Sequence, residues 1–215
     1  MTVLARILWR DLARAFAGGG GALPLIFFML VATLFPFAIG PDARLLAKTG
    51  GGALWMAALL AALLPVDRLI APDAEAGVLD QLAVRGIAEE AVAAAKLVAH
   101  WLSFGPPLML AAVPAAGLMK LDAMTLLRLE AGLAIGTPGL AALALLTASL
   151  TLGLRGAGAL AGLVMLPLAV PILIFGAGAL GDQGAGAFKL LAAASLLLVA
   201  GAPFAAGAAL RAGRE

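Results

Sequence analysis

Six long runs without a charged side chain divide this chain, and they constrain its fold more than any other feature. No Asp, Glu, Lys or Arg occurs in residues 15–41, 49–66, 97–119, 131–154, 156–181 or 190–210. A helix needs roughly 20 mostly apolar residues to cross a bilayer. Because 64% of the residues are apolar and 12% are charged, a water-soluble domain of this size could not bury its apolar surface. We therefore predict an all-α integral membrane protein with six transmembrane helices in one domain, residues 1–215.

The predicted spans follow these runs closely. They cover about residues 20–40, 49–66, 97–119, 130–154, 156–181 and 188–210.

Positive residues are retained mainly on the cytoplasmic side of a membrane. With the N-terminus in the cytoplasm, inner segments hold nine of the 14 Lys and Arg residues: Arg6, Arg10, Arg14, Arg68, Arg85, Lys96, Arg155, Arg211 and Arg214. The outer segments hold the other five: Arg44, Lys48, Lys120, Arg128 and Lys189. Both termini are therefore predicted to be cytoplasmic.

Residues 1–18 are predicted to form an amphipathic helix that lies in the membrane interface. Arg6, Arg10 and Arg14 recur every four residues and so share one helical face. The apolar residues of the segment gather on another face: Leu4, Ile7, Leu8, Leu12, Ala15 and Phe16. A helix of this kind buries its apolar face among lipid chains and turns its arginines toward lipid phosphates.

Residues 67–96 are too polar to span and are predicted to form a cytoplasmic coupling loop. This stretch holds nine of the 26 charged residues: Asp67, Arg68, Asp73, Glu75, Asp80, Arg85, Glu89, Glu90 and Lys96. Pro72 can begin a helix but not continue one. Residues 73–82 are therefore predicted to form one short helix, with an apolar ridge that has no core to enter: Val78, Leu79 and Leu82.

Two interpretations of this short helix stay open. Apolar anchors flanked by charges fit a docking surface for an ATPase subunit. A short amphipathic helix resting on the lipid surface is the alternative. The residues assigned to ATPase coupling are Asp73, Glu75, Gly77, Val78, Leu79, Asp80, Gln81 and Leu82.

Several kinds of chemistry are excluded by what the sequence lacks. The absence of cysteine excludes thiolate metal sites and disulfides. No G-x-x-x-x-G-K-[ST] motif is present, so any ATP hydrolysis belongs to a partner. Ion-coupled carriers normally keep an ionisable group within the membrane, and we predict no Asp or Glu inside the six spans. These observations favour a channel or a subunit driven by an external motor.

Glycines and prolines inside the spans suggest how the helices pack. Gly132 with Gly136, and Gly158 with Gly162, are small-x-x-x-small pairs that let helices approach closely. Pro167 and Pro171 lie one turn apart and are predicted to bend or break the fifth helix. The outcome is either a hinge or re-entrant segment, or a tolerated kink.

Few residues could bind a cofactor. His100, next to Trp101, is interpreted as an interfacial residue rather than a haem ligand. The perfect G-x-G-x-x-G of Gly176, Gly178 and Gly181 follows an apolar run rather than a strand, so we interpret it as a helix end and not as a dinucleotide site. No metal site, catalytic residue or nucleic-acid footprint is predicted, and the expected non-protein partner is the lipid bilayer.

The chain resembles the haem exporter protein B family (CcmB). Five segments carry the resemblance: TLFPFAIGPD at 33–42, GVLDQL at 77–82, KLVAHW at 96–101, GTPGL at 136–140 and LGLRGAGALAGLVMLPLAVPILIF at 152–175. The family's inner loop reads approximately D-x-x-D-G-x-L-E-Q-L, and its positions correspond to Glu75 or its neighbour, to Gly77, and to residues 80–82. Asp80 stands where the family more often has Glu, and residues 84–90 depart from the family pattern.

The resemblance implies an ABC-2-like permease of the bacterial inner membrane, with haem as a possible substrate and ATP used through a partner. The implied partners are two copies of an ATPase subunit, a second copy of the chain, a haem-handling membrane protein with a tryptophan-rich motif, a small single-span subunit and a periplasmic haem chaperone. ATP hydrolysis would serve to release the haem-loaded chaperone in cytochrome c biogenesis. An ABC-2 permease for a lipid, drug or polysaccharide, and a scaffold that transports nothing, are the alternatives.

Overall fold

The computed structural model of the chain describes residues 2–17, 21–154, 157–181 and 184–213. These residues are helical and contain no β-strand. The helices are α1 (Val3–Ala17), α2 (Ala22–Ile39), α3 (Ala43–Leu63), α4 (Ala71–Glu75), α5 (Val78–Val84), α6 (Glu89–Leu118), α7 (Ala123–Leu150), α8 (Ala157–Gly178) and α9 (Ala185–Ala212), with a 3-10 turn at Val66–Arg68 after α3. Some predicted features lie outside the described residues: the ends of helix 1–18, the first residues of the spans at 20 and 156, Arg155, Arg214 and both chain termini.

Six helical segments in the described part of the chain are long and apolar enough to cross a membrane. They are α2, α3 with the short turns that follow it, α6, α7, α8 and α9. The prediction of an all-α membrane protein with six spans is therefore confirmed. The exposed side chains of α2 and α8 are largely apolar, as expected for helices that face lipid chains.

Four of the spanning helices, α3, α6, α7 and α9, begin earlier than the uncharged runs. The Asp42 carboxylate accepts hydrogen bonds from the backbone N–H groups of Arg44 and Leu45, and thereby begins α3 six residues before the predicted span. Asp122 begins α7 in the same way, with Thr125 N at 2.6 Å from Asp122 Oδ1. The hydrogen bonds that Thr125 donates lower the pKa of Asp122. A charged residue thus marks the edge of the apolar layer and not the end of the helix.

Because α7 begins early, it contains a carboxylate that the sequence did not lead us to expect in a span. Glu130 lies two turns into α7, and its Oε1 is buried without a hydrogen-bond partner among the described residues. Glu89 and Glu90 likewise lie in the first turn of α6. These three carboxylates lie inside the helices but before their uncharged runs begin, so the absence of Asp and Glu from the apolar layer stays a prediction.

The core is built around α7, the most buried span, which contacts α6, α8 and α9. The largest fully buried side chain is Trp55 of α3. A Cβ added at Gly132 or Gly136 would lie 3.0 Å or 2.7 Å from the Trp55 ring, and one at Gly176 of α8 would lie 2.5 Å from it. Gly132, Gly136 and Gly176 therefore make room for an indole, rather than for the backbone of another helix.

Gly158 and Gly162, the second glycine pair, do not pack together against one helix. A Cβ at Gly158 would lie 2.2 Å from Asp67 Oδ2, whereas no described atom lies within 4 Å of a Cβ at Gly162. Gly158 therefore packs against a carboxylate, and Gly162 makes no close helix contact. Close approaches of helix backbones occur at Gly207 of α9, where a Cβ would lie 2.9 Å from the Glu90 nitrogen of α6, and at Gly139 of α7, where a Cβ would lie 3.0 Å from the Ser195 Cα of α9.

The fifth span is continuous. Pro167 and Pro171 both lie inside α8, which runs from Ala157 to Gly178 without interruption. No re-entrant segment forms there, because neighbouring turns of the helix keep their hydrogen bonds around a proline in a membrane helix. A hinge at the two prolines stays a prediction.

Candidate functional site

The predicted helix over residues 73–82 is two short helices that change direction at Gly77. Gly77 has φ +67° and separates α4 from α5. This left-handed conformation costs a residue with a Cβ roughly 1–2 kcal/mol, whereas glycine adopts it readily. The prediction of one continuous helix is wrong, because the alanine-rich sequence does not indicate that Gly77 adopts a left-handed conformation.

Asp73 is a buried residue and not part of an exposed docking surface. Its carboxylate lies in a cluster of charged side chains. The cluster comprises Arg10 and Asp11 and Arg14 of α1, Asp73 of α4 and Lys96 of α6. Lys96 Nζ lies 2.5 Å from Asp73 Oδ2 and 2.9 Å from Asp11 Oδ2. Arg14 Nη1 lies 3.1 Å from Asp73 Oδ1, and Arg10 pairs with both carboxylates. Asp73 is 3% exposed, so it is not available to an ATPase subunit.

The ion cluster also corrects the orientation of the N-terminal helix. Arg10 and Arg14 were expected to face lipid phosphates, but both donate to the Asp73 carboxylate. A buried charge is stable only with partners of opposite charge, and α1 supplies them. Burial by itself lowers the pKa of Arg10, but the hydrogen bonds and charges of Asp11 and Asp73 raise it above the ordinary value. The cluster thereby fastens α1 to α4 and α6.

The apolar ridge of α5 has a core to enter. Leu82 is buried with Ile7 of α1 and with Val92 and Ala95 of α6, and Val78 and Leu79 pack against the same group. The prediction of an unpartnered ridge is therefore wrong. The sequence assigns the apolar face of α1 to lipid, whereas Ile7 on that face packs against this ridge together with α6.

A groove of about 830 Å³ opens beside the two short helices. Its walls come from the 3-10 turn, α4, α5, the start of α6, the end of α7 with residues 151–154, the start of α8 and the end of α9. Four of the predicted coupling residues line it: Glu75, Leu79, Asp80 and Leu82. The other four predicted coupling residues do not line the groove: Asp73, Gly77, Val78 and Gln81. Gln81 is exposed to solvent.

The groove combines an apolar floor with an acidic rim. Asp67, Glu75, Asp80 and Glu89 line it, and no Lys or Arg does so among the described residues. Arg211 of α9 pairs with Glu89 at 3.4 Å and also with Glu90. The other three carboxylates have no ion pair within the described ranges. Such a surface suits a segment that carries both apolar and basic side chains.

Sequence reasoning missed the contribution of Asp67 to this groove. Its carboxylate packs against Gly158, in the first turn of α8. A negative charge at the start of a helix is favourable, because unpaired backbone N–H groups concentrate positive potential there. The only signal in the sequence was a charged residue directly after a span.

His100 and Trp101 do not form an interfacial belt. Trp101 Nε1 donates to Thr137 Oγ1 of α7 at 3.0 Å. The His100 ring is 4% exposed and lies 4.9 Å from the Phe104 ring. Both side chains therefore pack within the helix bundle. His100 lines a second, smaller cavity that also touches the ion cluster.

Comparisons with known proteins match nearly the whole chain. The family model described as CcmB protein matches residues 2–213. The chain is 47% identical to heme exporter protein B of Rhodobacter capsulatus over 211 residues, which cover 95% of this chain and 97% of that protein. It is 41% identical to heme exporter protein B of Bradyrhizobium diazoefficiens, with 100% of both chains covered. The corresponding protein of Escherichia coli K12 is 38% identical, with 88% of this chain and 89% of that protein covered. The chain therefore belongs to the CcmB protein family.

Proposed function

We propose that this chain is the non-catalytic membrane subunit of an ATP-driven ABC-type complex that serves haem export in cytochrome c biogenesis. The relatives named heme exporter protein B support the substrate, and the six spans support a multi-pass permease. The sequence has no phosphate-binding loop, so hydrolysis is assigned to a partner subunit. The proposed location is the bacterial inner membrane.

The observation that carries the coupling role is the acidic groove. It joins α4 and α5 to the ends of four spans, α6, α7, α8 and α9, so a partner bound there could move the spans directly. We infer that an ATPase subunit inserts an amphipathic segment with basic side chains, which the carboxylates of Glu75 and Asp80 attract. Of the predicted coupling residues, Asp73 takes no part in this contact.

The remaining partners are proposed from the family resemblance. They are a second ATPase copy, a second copy of this chain, a haem-handling membrane protein with a tryptophan-rich motif, a small single-span subunit and a periplasmic haem chaperone. In this proposal, ATP hydrolysis releases the haem-loaded chaperone. Purified complex should then hydrolyse ATP at a rate that differs between haem-loaded and haem-free chaperone, whereas equal rates would contradict this role.

Charge reversal in the groove tests the coupling surface. Asp80→Lys, combined with Glu75→Lys, should release the ATPase subunit from the detergent-solubilised complex and abolish cytochrome c maturation, because both carboxylates would repel a basic partner. Gln81→Lys is the matched control, since Gln81 is exposed on the same helix but lies outside the groove. ATPase that co-purifies with the doubly reversed variant at wild-type stoichiometry would place the docking surface elsewhere.

A further inference from the structure

A cavity of about 220 Å³ separates α1 from the helix bundle. Its walls come from α1, the start of α2, the segment after α3, α4 and α6. It lies apart from the acidic groove, with which it shares no lining residue. Most of the lining is apolar, but charged side chains of both signs reach it.

The charges around this cavity leave one cation in excess. Arg14, Arg68 and Lys96 line it together with two carboxylates, Asp11 and Asp73. Lys96 is fully engaged, because it donates to both carboxylates and to Leu69 O at 3.0 Å. Arg68 has no ion pair with any residue that the structure describes. Arg68 is exposed as well as lining the cavity, so its guanidinium is accessible to an anion from outside the chain.

A buried side chain in the same wall also lacks a partner. His100 is 4% exposed, and its Nε2 has no hydrogen-bond partner among the described residues. A buried polar atom without a partner costs roughly 1–3 kcal/mol, so such atoms normally mark a site that something else fills. A neutral imidazole can donate from this nitrogen to an anionic oxygen.

The position of the cavity indicates where an anion would come from. On the outside of α1, Trp9 is 66% exposed and Phe16 is 56% exposed. Exposed aromatic side chains on an amphipathic helix enter the boundary between headgroups and acyl chains. An interfacial α1 would place the cavity behind it near the lipid phosphates, and its apolar lining suits the glycerol end of a lipid.

We propose that this cavity binds a phosphate group, supplied by an anionic phospholipid, between Arg68 and His100. The guanidinium of Arg68 provides paired donors for two phosphate oxygens, and His100 Nε2 donates to one of them. The bound phosphate balances the excess cation and satisfies the buried imidazole. This site is independent of the ATPase and of haem.

Lipid binding to the purified full-length chain tests the proposal. Native mass spectrometry of delipidated protein titrated with phosphatidylglycerol should show one tightly retained lipid. Arg68→Gln should weaken its retention at least fivefold, since Arg68 supplies the unbalanced charge. Arg85→Gln is the matched control, because Arg85 is an exposed arginine of the same segment that does not line the cavity. His100→Leu, which has no donor and is checked for folding by circular dichroism, should also weaken retention.

Two further titrations identify the source of the phosphate. Diacylglycerol, which has no phosphate, should not be retained, and inorganic phosphate at millimolar concentration should compete weakly with phosphatidylglycerol. Thermal stabilisation by inorganic phosphate without any retained lipid would support the phosphate site but assign it to a soluble anion. Equal lipid retention by wild type and Arg68→Gln, or equal retention of diacylglycerol, would overturn the proposal.

Discussion

Lys96 Nζ lies 2.5 Å from Asp73 Oδ2, and both side chains are at most 4% exposed. Lys96 belongs to the spanning helix α6, whereas Asp73 belongs to the first of the two short helices beside the acidic groove. The same ammonium group also binds Asp11 of α1. The Lys96 side chain therefore connects α1, α6 and α4 of the proposed coupling segment. Because these contacts are shared, a displacement of α4 would also displace α1 and α6.

Loss of this lysine should strongly destabilise the protein. Lys96→Met removes the buried one of the two cations that Asp11 and Asp73 share, and breaking a buried ion pair costs about 3–5 kcal/mol. Arg10 and Arg14 still contact Asp73, so the lower end of that range is expected. Denaturant unfolding in detergent measures the loss. Arg85→Met, at an exposed position, should change stability by less than about 0.5 kcal/mol. A variant as stable as wild type would show that the cluster contributes nothing.

Gly77→Ala tests the break between α4 and α5. An added Cβ meets no described atom within 4 Å, but the backbone is left-handed, with φ +67°. We expect a loss of about 1–2 kcal/mol from that conformation alone. Gly52→Ala is the control, since Gly52 also has open space around it but lies within α3. It should be neutral or stabilising, and thermal unfolding compares the two. Equal stability of the two variants would contradict a strained position at 77.

Gly176→Ala should disturb the core because its methyl group would collide with Trp55. Overpacking of this kind costs about 1–3 kcal/mol, whereas Gly162→Ala has space and should be tolerated. Trp55→Phe added to Gly176→Ala should restore part of the lost stability, since a smaller ring frees the space. Unfolding in detergent distinguishes the three variants. No recovery in the double variant would mean that the clash lies elsewhere.

Topology is tested by alkaline phosphatase fusions. The N-terminus is predicted to be cytoplasmic, and an even number of spans then returns the C-terminus to the same side. A fusion after Pro41, between α2 and α3, should be active because the enzyme folds only in the periplasm. A fusion after Arg214 should be inactive. Activity at the second site would reverse the proposed orientation and place the acidic groove on the wrong side for an ATPase.

The spans could be predicted because their requirement is local. A membrane helix satisfies its own backbone and needs only enough consecutive apolar residues, so composition along the chain determines its presence. The helix ends were less predictable. The charges of Asp42 and Asp122 suggest that both residues lie outside the helices. In the structure each is the N-cap of a helix longer than the predicted span.

The partners of each side chain depended on residues far away in the sequence. Arg10 and Arg14 have the spacing of an interfacial helix, and only the approach of α4 and α6 turns them toward Asp73. The apolar ridge of α5 likewise packs against side chains of α1 and α6. Apolar length is a property of one segment, and the sequence determined it. The pairing of buried charges, and the space that glycines leave for Trp55, depend on which segments meet, and the tertiary structure alone decided that.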